Sequence, residues 1–303
     1  MKILIAGGTG FIGRGLCEAL IDHGHKVTAF ARSKPVPPVE LPDEVEIHTG
    51  DVRNRDDVAS ALEGQDAVYN LVSLSPLYKA PRNASHSGVH FGGTKELVDA
   101  AESAGVNRFL QMSGLGADPD GATAYLRAKG KAEEVVTESD LDWTIIRPSV
   151  VFGEGGEFVE FSRWVSFPPL LDQLWWPYLT PLPGAKSRFQ PIWRDDLVDI
   201  MVDLLDDAHI GKTYEIGGPE VFTLADIVRM IHRAEGKRAR LLPMPTILAR
   251  GALTVAGAIP GFPLGADQGR SLDIDNVPAE NQVTELGHDP ESLLTLGEYL
   301  GID

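Results

Sequence analysis

The sequence is poor in cysteine, in basic residues and in long apolar runs. Cys17 is the single cysteine among 303 residues, so no internal disulfide can form. A reducing compartment is therefore expected, which we read as cytoplasmic. Its place inside an apolar helical stretch suits a buried structural thiol better than a reactive one. No stretch reaches the roughly 18 uninterrupted apolar residues of a membrane helix, so no membrane span is expected. The opening run "ILIA" ends at Gly7, too short for the core of a secretion signal. Lysine and arginine number 27 against 44 acids, a formal charge of −17. Nucleic acid and anionic membrane both need clustered cations, so neither is expected as the main partner. The scattered acids fit either a salt-adapted surface or an ordinary acidic cytosolic protein. A hydrophobic content of 43% suffices for one large domain or for two lobes.

What is present is a regular alternation. Short β-branched runs at 2–6, 26–31, 45–49, 66–72, 108–112 and 142–147 read as strands, and stretches with helical spacing fill 11–23, 54–63, 86–104 and 123–138. Strands alternating with helices imply parallel βαβ units and an α/β sheet covered on both faces. After Arg147 the pattern changes, which predicts a nucleotide domain over 1–152 and a smaller, partly interleaved lobe over 153–303. Residues 153–193 combine glycine, proline and aromatics, including Trp164, Trp175, Trp176 and Trp193. They either pack the small lobe, line an apolar substrate channel, or rest against a membrane surface or partner. Then follow a strand at 213–217, a helix capped by Thr223 with Asp226, an apolar helix at 247–259 expected to be buried, and a loop closed by a short helix from about Glu291.

"GGTGFIG" (7–13) lies between the first strand and the first helix. Of Gly7, Gly10 and Gly13, one permits the tight turn, one lets the backbone approach a pyrophosphate, and one lets the helix pack on the strand. Thr9, Phe11 and Ile12 complete the turn, and the phosphates face the positive end of the following helix. The bland alternative is a glycine turn with no ligand. The end of the second strand reads "AFARSK", with Arg32, Ser33 and Lys34 where an NAD site usually carries an acid. A guanidinium grips a 2′-phosphate that a carboxylate would repel, so NADP(H) is preferred, with NAD(H) as the alternative. "GDV" (50–52) puts Asp51 and Val52 near the adenine, and Leu71, Val72 and Ser73 pass beneath the cofactor.

"YLRAK" sets Tyr125 and Lys129 four apart on one helical face. An ammonium beside a phenol is expected to lower its pKa. The phenol can then exchange a proton with a substrate oxygen while hydride moves to or from the nicotinamide. Ser113, ending the fifth strand, can hydrogen-bond the same oxygen.

These motifs, with "IIRPSVVFG" (145–153), resemble the extended or atypical short-chain dehydrogenase/reductases, usually described as NAD-dependent epimerase/dehydratases. The resemblance spans essentially the whole chain. It implies a Rossmann fold of about seven parallel strands with a C-terminal substrate lobe. It also implies that Pro148 and its neighbour Val150 line the nicotinamide, and that Lys129 holds the ribose as well. Within that superfamily, "QMSGLGAD", "AYLRAKGKAEE", "FQPIWRDDLVD" and the tail "GADQGRSLDIDNV…LGHDPESL" are similar to relatives of the NADPH-binding accessory subunit of respiratory complex I. That subunit is regarded as a structural component. Where many extended members have Asn in "N-V-x-G-T", this chain has His90, which puts the usual proton relay in question.

Two classes of function follow. One is an NADP(H)-dependent oxidoreductase acting through Ser113, Tyr125 and Lys129 on a carbonyl or alcohol, with epimerase or dehydratase chemistry inside the same class. The other is a non-catalytic dinucleotide-binding accessory or redox-sensing protein. The expected partners are a small-molecule substrate, with an apolar one among the alternatives, or a complex or membrane surface met peripherally. His86 and His90 share a helical face, but no convincing further ligands accompany them, so no metal is expected. "RDD" (194–196) reads as acids in a helix's first turn and "GGPE" (217–220) as a turn. Arg188 and Arg194 are the candidates for a sugar nucleotide's pyrophosphate.

Overall fold

The computed structural model describes residues 1–33, 40–166, 179–237, 240–258, 264–271 and 273–302. Its first half contains β1 (Lys2–Ala6), α1 (Phe11–Asp22), β2 (Lys26–Ala31), β3 (Glu46–Thr49), α2 (Arg55–Leu62) and β4 (Ala67–Asn70). Then come α3 (Gly93–Ala104), β5 (Arg108–Met112), α4 (Ala124–Thr137), β6 (Asp142–Pro148) and β7 (Val151–Phe152). Onward lie α5 (Glu157–Ser166), β8 (Leu179–Pro183), β9 (Arg188–Phe189), β10 (Ile192–Trp193), α6 (Arg194–Asp203), β11 (Lys212–Ile216) and β12 (Phe222–Thr223). The chain closes with α7 (Leu224–Ala234), β13 (Arg240–Met244), α8 (Thr246–Ala256), α9 (Ala266–Ser271) and α10 (Leu296–Leu300). Among the described residues no helix is long and apolar enough to cross a membrane.

Two units emerge. The first comprises Met1–Leu74, Ala80–Pro148 and Arg194–Glu215; the second comprises Ser75–Lys79, Ser149–Trp193 and Ile216–Asp303. The chain thus leaves the first unit after β6, nearer its strand end than the expected boundary at 152, and returns to it through α6 and β11.

The first unit is built on a seven-stranded parallel sheet ordered β11-β6-β5-β4-β1-β2-β3. Every residue of β1 after Lys2 is fully buried, as a strand covered on both faces requires. Leu4 and Ala6 join Val58, Leu62, Leu97 and Phe109 in one core, and alternation turns Ile3 and Ile5 to the other face. On the neighbouring layer α6 packs against α1. The buried Tyr69 hydroxyl donates to the Met201 carbonyl at 2.7 Å, anchoring α6 on β4. The predicted helix at 86–104 is two pieces, a π-helical turn at Ser87–Gly92 followed by α3.

The second unit has only two-stranded pairings: β7 with β10, β8 with β13, and β9 with β12. Its core gathers Phe152, Phe158, Ile227, Ile231 and Leu296, with Trp193 packed against it. For Trp193 the packing reading is therefore the observed one. The side chain of Trp164, and Trp175 and Trp176 entirely, lie outside the described residues. Thr223 and Asp226 form the expected capping box on α7. The closing helix is shorter and later than expected: a 3-10 turn occupies Pro290–Ser292 and α10 follows a second capping box at Thr295. "GGPE" is a turn held by close approach, since a β-carbon at Gly218 would lie 1.9 Å from the Pro191 carbonyl oxygen. One expectation fails: α8 is not buried. Ile247, Leu248 and Val255 are 75%, 61% and 74% exposed.

Candidate functional site

In a doubly wound sheet, ligands bind outside the carboxyl ends of the strands where the strand order reverses. Here that point lies between β1 and β4. Gly7 follows β1 with φ +90°, a conformation that disfavours any side chain. A β-carbon there would sit 3.1 Å from the Leu71 carbonyl carbon. At Gly13 it would meet the Gly7 carbonyl oxygen at 2.3 Å, so α1 is pressed onto the turn. Gly8, which sequence reasoning left without a role, lies against Ala29, its β-carbon position 2.7 Å from that side chain. Gly8 and Gly13 thus answer to protein packing and Gly7 to its backbone conformation. Gly10 is different: it is exposed and caps α1 without a side chain. The first-turn amides of Phe11, Ile12 and Gly13 have no intrahelical acceptor, and Thr9, Phe11 and Ile12 are only partly buried. This bare, positive helix end fits a diphosphate. Arg194, at the start of α6, brings a guanidinium 5.8 Å from the Phe11 ring centroid while paired with Asp195 at 2.6 Å. Arg188 instead pairs with Asp275 in the second unit.

The neighbouring strand ends carry the other predicted contacts. Arg32 and Ser33 are exposed just past β2; Lys34 lies outside the described residues. Asp51 is gripped by Arg53, which sequence reasoning missed, through Nη2 at 2.5 Å and Nε at 2.9 Å. These bonds hold the Asp51 carboxyl at about 2, with the charge of Arg32 acting in the same direction. Val52 is buried against Gly93, so it shapes the site from below. The Leu71 amide donates to the Ala6 carbonyl at 2.8 Å, and Ser73 is exposed. Beneath these loops Asn70 donates through Nδ2 to Thr94 Oγ1 at 2.9 Å and to Gln111 Oε1 at 2.8 Å. That buried network joins the ends of β4 and β5; three polar residues scattered along the sequence gave no local signal of it.

Beyond β5 the reactive side chains converge. The Thr123 side chain caps α4 and starts the helix that presents Tyr125 and Lys129. Tyr125 Oη lies 3.0 Å from the β-carbon position of Gly114, immediately after Ser113. Ser113 Oγ is buried and has no hydrogen-bond partner within the protein. Lys129, 1% exposed, donates to the Met112 carbonyl at 2.8 Å and sits 6.0 Å from the Tyr125 ring centroid. The expected depression of the phenol pKa is not found in the chain alone. Burial pushes Tyr125 up to about 12 and Lys129 down to about 8, the latter opposed by Glu133. The ammonium faces the ring and a backbone carbonyl, and in this state burial outweighs its influence on the phenol.

His86 and His90 complete the cluster. Their rings stack at 5.5 Å, and each meets the Tyr125 ring edge-on, at 5.7 and 5.3 Å. His90 Nε2 lies 3.3 Å from the Leu74 amide, which donates to it. Burial, then the Lys129 charge, keeps this imidazole well below its usual pKa and hence neutral. Among the described residues no group of three His, Cys, Asp or Glu side chains is arranged to hold a metal.

A family model for NAD(P)H-binding domains matches residues 7–159, from the glycine turn past β6. The chain belongs to this NAD(P)H-binding family. It is 29% identical over 284 residues to the mitochondrial NADH dehydrogenase [ubiquinone] 1 alpha subcomplex subunit 9 of Arabidopsis thaliana, covering 89% of this chain and 67% of that one. It is 25% identical over 247 residues to the 40 kDa subunit of NADH-ubiquinone oxidoreductase from Neurospora crassa, covering 80% of this chain and 62% of that protein. The chain thus spans only about two thirds of these relatives. Ceramide reductase of Caulobacter vibrioides is 28% identical over 259 residues, 84% of this chain and 77% of that one. In fold, a nucleoside-diphosphate-sugar epimerase from Staphylococcus aureus superposes with a TM-score of 0.75 at 17% identity, over 99% of both chains. This family member therefore has a Rossmann-like fold and binds a nicotinamide dinucleotide.

Pro148 ends β6 in the first unit, its carbonyl accepting from the Leu115 amide at 3.4 Å. Val150 belongs to the second unit, where its amide donates to Asn276 Oδ1 at 2.7 Å. That unit also has a cleft of its own, bordered by Tyr78, Glu154, Glu157, Glu160, Arg163 and Glu235. Residues of the described stretch between Gly153 and Arg163 border this cleft, together with the apolar Ala234, Tyr299 and Leu300.

Proposed function

We propose that this family member is an NADP(H)-dependent oxidoreductase that acts on a carbonyl or alcohol group. The observation that carries the reading is the unpartnered, buried Ser113 Oγ, next in sequence to Gly114, whose β-carbon position lies 3.0 Å from the Tyr125 hydroxyl, with Lys129 four residues after that tyrosine. A buried hydroxyl without a partner is costly unless something supplies one; a substrate oxygen would. When bound, the dinucleotide would supply or take the hydride. The Gly7–Gly13 turn and the first amides of α1 would hold its diphosphate, and Asp51 and Val52 its adenine end. Leu71, Val72, Ser73 and Pro148 would lie along its length. Arg32, Ser33 and Lys34, with no acid among them, favour a 2′-phosphate, which is why we prefer NADP(H) to NAD(H). Tyr125, kept protonated by burial, is suited to give its proton to a carbonyl oxygen under reduction. Ser113 would orient that oxygen, and Lys129 would hold the ribose while tuning the phenol. The substrate is a small molecule, and the likeness to a ceramide reductase favours an apolar one. We assign the protein to a reducing cytoplasm, in keeping with a single thiol that burial holds near 12.

A second reading, a non-catalytic protein that keeps the dinucleotide as a structural or redox-sensing element of an assembly, draws on the likeness to two respiratory-complex subunits. Tyr125→Phe separates the two. The oxidoreductase should lose about 10²- to 10⁴-fold in turnover of NADPH with a carbonyl panel, with the NADPH dissociation constant unchanged by fluorescence titration. A wild type with no turnover, or a variant as active as wild type, defeats the first reading. Tighter binding of NADH than NADPH overturns the cofactor preference.

A further inference from the structure

The exposed side of α8 is a continuous apolar face. Ile247, Leu248, Gly251, Ala252 and Val255 are all exposed, and their spacing (i, i+1, i+4, i+5, i+8) lines one side of a helix. The opposite side is engaged: Ala249 is buried and Arg250 pairs with Asp273. A soluble surface helix normally shows the reverse arrangement, with charge outward.

The charge around this helix is equally unusual. The chain as a whole carries −17, yet residues 236–266 contain no acid, and they include Lys237, Arg238, Arg240 and Arg250. The acids that bracket the segment are each held by bases: Glu235 by Arg163 and Lys237, and Asp267 by Arg270. The exposed Lys79 adds a cation at the far end of α8, donating to the Gly257 carbonyl at 2.7 Å. Over 235–273 the sequence holds five bases against three acids, so the sign of the whole chain's charge is reversed in the segment that carries the apolar face.

We propose that α8 docks this protein peripherally on an anionic lipid bilayer, with Ile247, Leu248 and Val255 entering the headgroup–acyl boundary and the exposed Lys79 meeting lipid phosphate. An apolar helical face flanked by bases suits that interface. A second copy of the chain is a poorer occupant. Three aliphatic side chains, each smaller than the aromatics that bury about 150–250 Å², fall well short of the roughly 800 Å² per partner of a stable interface. A bilayer needs no matching shape.

The test is co-sedimentation of the full chain with vesicles, of phosphatidylcholine alone and of phosphatidylcholine mixed with phosphatidylglycerol. Wild type should pellet with the mixed vesicles, more weakly at high salt and with neutral vesicles. The double variant Ile247→Glu/Val255→Glu should lose at least about tenfold in partitioning, with melting temperature and NADPH affinity unchanged. The milder Val255→Ala should lose part of the binding. The proposal is overturned if wild type stays in the supernatant, or if the double variant pellets like wild type. It is equally overturned if sedimentation velocity finds a wild-type dimer that the double variant splits, since a second copy then covers the face. None of these readouts depends on turnover.

Discussion

Gly13 in α1 and Gly251 in α8 are both glycines inside helices, one in each unit. A methyl group at Gly13 would meet a carbonyl oxygen at 2.3 Å, whereas at Gly251 it would meet nothing within 4 Å. The first is a residue that the packing of β1, the turn and α1 demands. The second weakens its helix without any steric return. The same contrast runs through the burial of the two units. In the first, the apolar residues of β1 are enclosed by layers on both faces; in the second, a helix leaves three large aliphatics to solvent. Where the chain is enclosed on every side, side-chain identity follows from geometry. Where it is not, an apolar residue needs an explanation outside the chain.

Substitutions can break or sharpen this contrast. The largest effect is expected from Gly13→Val, which must displace backbone. NADPH binding should be lost and stability should fall by about 3 kcal/mol or more, measured by fluorescence titration and urea unfolding. A variant that binds normally would mean the turn is pliable. Lys129→Met tests enclosure electrostatically. In the folded chain burial lowers Lys129 to about 8, against 10.5 for an unburied lysine. Between those values the unfolded state binds more protons, so folding stability should rise with pH across the window, on the order of 3 kcal/mol in total. The variant should lack that rise, read from urea midpoints on either side of the window. An identical pH dependence in both proteins would mean the ammonium is better solvated than its burial implies. The smallest effect is expected from Gly251→Ala, which should stabilise by about 0.5–1 kcal/mol, seen as a slightly raised melting temperature. A loss instead would mean that α8 is packed more closely than its open surface suggests.

Much of the first unit was legible in the sequence because its signals are local. β-Branched runs, helical spacing and the glycine turn each occupy a few consecutive residues, and β1, α1, β2, β5 and α4 fall where those signals lie. Tyr125 and Lys129 were legible for the same reason, as two positions on one helical face. The polar network of Asn70, Thr94 and Gln111, and the clamp of Arg53 on Asp51, were harder to find. Asn70, Thr94 and Gln111 meet only after three elements pack, while nothing marks Arg53 apart from other surface arginines. The apolar stretch around α8 was misjudged because hydrophobicity at 247–259 says that a helix wants cover, not whether the fold provides it.

The sequence by itself determined the alternating α/β order, the turn that follows β1, the cap at Thr223, and the pairing of Tyr125 with Lys129. These depend on periodicity and on hydrogen bonds between near neighbours. Only the tertiary structure decided that Lys129 spends its proton on the Met112 carbonyl, that His90 stays neutral, and that one face of α8 remains open. Burial and local dielectric are set by whatever distant segments come to lie against a residue, and no short stretch of sequence contains that information.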